Sequence, residues 1–179
     1  ITPIYIVRSK EEAMGLAYTD GVGIYITPLF MEQVRIKYGQ KGLSHAAKVL
    51  GTILSHEMLH MLMGHPVYLK DLKQAVETGF NDFKEEVRAI LREIAPIVFN
   101  VVTDAVINDW LEKAGLPNED GISLSDRSRH PARFLERFMF ASFGIPVKLD
   151  EKGVESLIRN THELSATLQI LRIMGKQLE

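Results

Sequence analysis

Residues 44–64 read SHAAKVLGTILSHEMLHMLMG. Ala46, Ala47, Val49, Leu50, Ile53, Leu54, Leu59 and Leu62 recur at helical spacing and cover more than one stripe. That pattern predicts a central, largely buried helix over about 45–63. Ser44 stands at the N-cap position, Gly64 stops the run and Pro66 follows, the usual punctuation of a helix. Within it, His56-Glu57-Met58-Leu59-His60 is an H-E-x-x-H sequence. Side chains four residues apart share one helix face, about 6 Å apart at Cβ. Two imidazoles placed so can converge on one zinc ion. Glu57 lies off the ligand line but can reach a water on the metal and serve as general base. Two imidazoles and a carboxylate on a buried helix need partners or a metal, because unpaired buried polar groups are costly.

The rest of the chain constrains this reading. Its 179 residues, 46% hydrophobic and 25% charged, suit a single folded domain rather than a disordered chain. The net charge of −2 provides no basic field to gather phosphates, which argues against generic nucleic-acid binding. No run of 18 apolar residues suggests a membrane span, and no secretory signal is evident, so a cytoplasmic location is expected. Cysteine is absent, so a metal would sit on His, Asp or Glu.

Periodicity and turn residues give the remaining elements. Strands are expected at Ile4 to Val7 and Val22 to Thr27, with a short helix from Ser9 to about Ala17 and a turn at Asp20-Gly21 between them. Helices are expected from Pro28 to Tyr38, at about 67–78 and 82–94, and from Pro96 to Lys113. A polar loop at 114–130 precedes a helix from Pro131 to Ser142 and a long C-terminal helix over 153–178. The fold class is therefore α+β, mostly helical, with a core at about 1–113 and a C-terminal helical part at about 131–178.

A catalytic zinc site needs a third protein ligand. The metzincin continuation H-E-x-x-H-x-x-G-x-x-H fails, because Met63 stands at the glycine position. His65 could swing round after Gly64, though it reads more readily as a cap for the helix end. The helix from Pro96 is apolar on nearly all sides, with one narrow polar stripe of Asn100, Asp104 and Asn108. A buried aspartate needs a cation or several donors, which makes Asp104 the preferred third ligand. Asn100 and Asn108 would support it or serve as caps. Glu77, Glu85, Glu86 and Glu93 are alternatives on charge-rich helices and are expected in solvent.

Three segments together resemble a known family. They are Thr19-Asp20-Gly21-x-x-Ile24-x-x-x-Pro28-x-Phe30, His56-Glu57-x-x-His60-x-x-x-Gly64-His65 and Asn100-x-x-x-Asp104-x-x-Ile107-Asn108. They resemble the zincin-type metallopeptidase domain found next to von Willebrand A-like domains, over about residues 18–112. The resemblance implies a zincin-like fold with a small N-terminal sheet. It implies a Zn2+ site on His56, His60 and Asp104, with Glu57 as base. It implies a peptide or protein as substrate and a von Willebrand A-like or ATPase partner. Hydrolysis would proceed through a water activated by the metal, with Val22 to Thr27 as an edge strand pairing an extended peptide. A catalytically silent zincin-like module in a larger assembly is the alternative reading.

Other residues invite roles. His130, Tyr25 and Tyr68 are candidates for stabilising an oxyanion, against simpler duties as an N-cap and as packing residues. His45 and His162 are expected at the surface. Met58, Met61 and Met63 read as core filling. Phe134, Phe138, Phe140 and Phe143 read as core or as a partner surface.

Overall fold

Three strands and seven α-helices follow one another in the computed structural model, which describes residues 4–6 and 17–179. The chain is mostly helical with a small sheet, as an α+β reading requires. It divides into two compact units, Ile1–Val67 with Trp110–Glu119, and Tyr68–Asp109 with Asp120–Glu179.

The first unit holds the sheet. Strands β1 (Ile4–Ile6), β2 (Ala17–Thr19) and β3 (Ile24–Ile26) are ordered β1-β3-β2, with β1 parallel and β2 antiparallel to β3. β3 is therefore the central strand, not the edge expected for Val22 to Thr27, and both of its ladders are occupied. The helix expected from Ser9 lies outside the described residues, save that Ala17 opens β2 instead. The Asp20-Gly21 turn joins β2 to β3: the Asp20 carboxylate accepts the N–H groups of Val22 and Gly23 at 2.8 and 3.0 Å, an arrangement aspartate favours in turns. Ile24 and Ile26 point into the core while Tyr25 points away, the period-2 alternation of a half-buried strand.

Helix α1 (Pro28–Gly39) opens with proline in its first turn, and the Thr27 hydroxyl accepts the Phe30 N–H at 3.1 Å. Its buried residues Phe30, Val34 and Tyr38 recur every four positions and pack with Ile24, Ile26, Ala46 and Val49. Helix α2 (Leu43–Leu62) packs against α1 and the sheet. It starts at Leu43 from Gly42, which has φ +100° and gives no side-chain cap. Ser44 thus lies inside the first turn instead of capping it.

The second unit is built on a larger core. Helices α3 (His65–Gly79), α4 (Glu85–Lys113), α5 (Pro131–Phe143), α6 (Glu151–Asn160) and α7 (Glu163–Leu178) contribute to it, α3 and α4 each with residues of both units. The two helices expected at 82–94 and 96–113 are one, with Pro96 in its interior. Interior proline costs about 3 kcal/mol. Around it Ile94, Ala95, Val98 and Phe99 are each at most 2% exposed, and burying such side chains contributes about 1.5–3 kcal/mol apiece for the large ones. Burial outweighs the lost hydrogen bond, so the helix continues. The C-terminal helix expected as one is two. Thr161 is extended, and the His162 ring accepts the Leu164 N–H at 3.3 Å to start α7 afresh. Asp150 caps α6 through the Gly153 N–H at 2.9 Å. Gly144, at φ +68°, ends α5 as expected. No helix among the described residues is long and apolar enough to cross a membrane.

Candidate metal centre

The H-E-x-x-H sequence falls in the last two turns of α2. His60 is buried, and His56 and Glu57 are half-buried. The Nε2 atoms of His56 and His60 lie 2.9 Å apart, with ring centroids 4.6 Å apart. Both imidazoles therefore turn the same nitrogen toward one point. Helical spacing places the two side chains on one face, and the buried residues Ala46 and Val49 anchor the same helix in the first unit's core.

His56, His60 and Asp104 form a group that could hold a metal ion: each offers one ligand atom, and these atoms lie within 4.8 Å of one another. Ligands about 2.0–2.1 Å from a tetrahedral zinc stand roughly 3.4 Å apart, inside that limit. Two imidazoles with one carboxylate are also a donor set found at catalytic zinc sites. Asp104 is half-buried on α4. The Asn100 amide donates to its carboxylate at 3.5 Å, the outer limit of a hydrogen bond. Asn100 itself is exposed. Asn108 does something else: its amide donates at 2.8 Å to the carbonyl of Ile122 and tethers the loop after α4. The stripe of three polar residues thus divides into a candidate ligand, a surface neighbour and a loop tether.

His65 lies outside the His56, His60 and Asp104 group. The last turn of α2 is closed by backbone, Met63 N–H to Leu59 O and Gly64 N–H to Met61 O. Gly64 has φ +72°, a conformation open to glycine. The chain turns there, α3 starts at His65, and Pro66 sits in its first turn. The His65 ring returns to His60, with the two Nδ1 atoms 2.9 Å apart.

The other candidates take structural duties. His130 Nδ1 accepts the Ala132 N–H at 3.2 Å and caps α5. It is buried, and that burial pushes its imidazole below the ordinary histidine range. Tyr25 stacks between Tyr5 and Tyr18, its register partners on either side, with centroids 5.1 and 4.9 Å away. Its hydroxyl donates to Asp20 at 2.8 Å, and that bond pushes the phenol up to about 12. Tyr68 meets the ring of His162 edge-on at 5.4 Å. His45 pairs with Glu119 at 2.7 Å. Met61 packs on the first unit's core while Met58 is exposed. Phe138 and Phe143 pack on the second core, whereas Phe134 and Phe140 face outward. Glu85 pairs with Arg88 and Arg92 in solvent and is committed there.

Compared with family models, with curated proteins and with solved structures, the chain matches none.

Proposed function

We propose that this protein is a zinc-dependent metallopeptidase of the kind its H-E-x-x-H and N-x-x-x-D segments resemble. The observation that carries the reading is the convergence of the His56 and His60 Nε2 atoms, one turn apart on α2, with Asp104 in the same group. His56, His60 and Asp104 would hold the ion. Zinc, when bound, polarises a carbonyl and brings the pKa of a coordinated water to about 7. Glu57, next to His56 on α2, would take the proton of the attacking water and then return it to the leaving amine nitrogen. The substrate would be an extended peptide. With β3 central, only β1 and β2 have a free sheet edge among the described strands for such a peptide to pair with. A von Willebrand A-like or ATPase partner belongs to the same reading.

Metal analysis and a peptide library test it together. Wild type should carry about one zinc per chain, and His56→Ala or His60→Ala should abolish it, because two remaining ligands hold zinc poorly. Asp104→Ala should cost at least about tenfold in zinc affinity. Glu57→Gln should keep the zinc and lose hydrolysis. Wild-type protein that stays metal-free in zinc overturns the site. Equal cleavage by wild type and Glu57→Gln overturns the mechanism.

A further inference from the structure

We propose that His65 is the positioning residue for His60: its Nδ1 accepts the His60 Nδ1–H and so holds the His60 Nε2 lone pair toward the metal. The inference rests on the metal reading above and assigns a role that the H-E-x-x-H sequence does not contain.

Both ring nitrogens of His60 are engaged. Nδ1 meets His65 Nδ1 at 2.9 Å, and Nε2 meets His56 Nε2 at 2.9 Å. Each distance is that of a nitrogen-to-nitrogen hydrogen bond, which needs one proton between the two atoms. A neutral imidazole carries a single proton, so one nitrogen of His60 donates and the other accepts. Two arrangements satisfy the chain of three rings. In one, the His60 proton sits on Nδ1 and points at His65; in the other it sits on Nε2 and points at His56. A ligating nitrogen must present a lone pair, and the Nε2 atoms are the pair that face each other across the candidate site. Metal binding removes the proton from between the two Nε2 atoms, so the His60 proton sits on Nδ1 and points at His65, the acceptor that state requires.

The backbone explains why the acceptor is there. His60 and His65 are 8% and 4% exposed, so bulk water does not readily replace the contact. Gly64 at φ +72° separates α2 from α3, and Pro66 suits the first turn of α3. Their combined effect is to bring the two rings to 4.9 Å between centroids at an interplanar angle of 74°. Partners that accept from the far nitrogen of a ligating histidine fix its tautomer and orientation, and losing one typically costs 10–100-fold in metal affinity.

The test compares two variants. His65→Asn places a carbonyl oxygen close to where Nδ1 stood and retains an acceptor; His65→Leu keeps bulk and removes it. Zinc dissociation constants would be measured by chelator competition, beside melting curves of the metal-free proteins and long-range proton–nitrogen spectra of the imidazoles. The expected result is a loss of about 10–100-fold for His65→Leu, recovery of most of it in His65→Asn, and an Nδ1–H tautomer for His60 in zinc-loaded wild type. Unchanged affinity in His65→Leu, an Nε2–H tautomer for His60, or a folded His65→Asn no better than leucine overturns the role. So does complete zinc loss in His65→Asn, which would make His65 a ligand. Should His65→Leu not fold, the wild-type tautomer and the asparagine variant still decide. Should wild type take up no zinc, the metal reading falls, and the metal-free spectra still judge the contact. A His60 Nδ1 resonance unmoved between wild type and His65→Asn removes it.

Discussion

Gly51 and Gly175 both sit inside helices, one in each unit, and the chain uses them in opposite ways. Gly51 lies on the exposed side of α2, and a β-carbon built there meets nothing within 4 Å. Gly175 lies buried in α7, where a β-carbon would stand 2.9 Å from Phe83 Cζ and 3.0 Å from Leu91 Cδ1. The contrast extends to the units. Among the described residues, seven buried apolar side chains form the first unit's core and twenty-five the second's. The H-E-x-x-H sequence and His65 belong to the unit with the thinner core. The tighter packing and the histidines of α2 thus lie in different units, and changes in each should register differently.

The largest expected effect breaks the packed side. Gly175→Ala should destabilise by about 1–3 kcal/mol despite alanine's better helix propensity, because Phe83 and Leu91 must shift. Thermal melting checks it, and a melting point at or above wild type would show that α7 has slack. A second, intermediate effect follows from His130 in the same unit. Its Nδ1 accepts a backbone N–H only when that nitrogen is unprotonated. Burial lowers its pKa first of all; Glu151 and Glu155 oppose this and Arg133 adds to it. A depressed histidine contributes stability fully present above its unfolded value, near 6.5, and lost as pH falls through the lower folded value. Acidification from about pH 7.5 to about 5.5 should therefore weaken the α5 cap by about 1 kcal/mol. His130→Asn, which caps without titrating near neutrality, should show a flatter melting profile over the same range; parallel profiles would remove His130 as the source. The smallest effect sharpens the contrast from the other side. Gly51→Ala should stabilise by about 0.5–1 kcal/mol and leave zinc uptake unchanged. A loss of stability there would mean the exposed side of α2 is packed after all.

Local punctuation in the sequence marks several of these elements well. Pro28, Gly64, Pro131 and Gly144 each sit within a residue or two of a helix boundary, because each acts through its own backbone. The elements misread are those decided by distant burial or by an unusual cap. Pro96 reads locally as a helix start, yet the apolar residues on both sides carry the helix through it. Thr161 and His162 break the C-terminal helix without glycine or proline, through a histidine that caps by its ring. The centrality of β3 depends on a parallel partner about twenty residues away, which a turn signal cannot announce. At the candidate site, His56, Glu57 and His60 follow from helical spacing alone. The grouping of Asp104 with them follows from the burial argument for a carboxylate on an apolar helix. Asn108, on the same stripe, donates to the Ile122 carbonyl. The contact of His65 with His60 escaped the burial argument, since the Gly64 turn between them is a matter of one backbone angle.

The first unit is discontinuous along the chain, and that sets a schedule for its synthesis. Residues up to Val67 belong to it, and then Trp110–Glu119 return to it, with Glu119 paired to Lys41 at 2.8 Å and to His45 at 2.7 Å. A ribosome adding about 5–20 residues per second takes roughly 3–10 seconds to pass from Val67 to Glu119. For that interval α2, with its histidines, exists in a nascent unit that has not received its last segment. The first unit cannot close before Glu119 is made, so Tyr68–Asp109 of the second are synthesised while it waits.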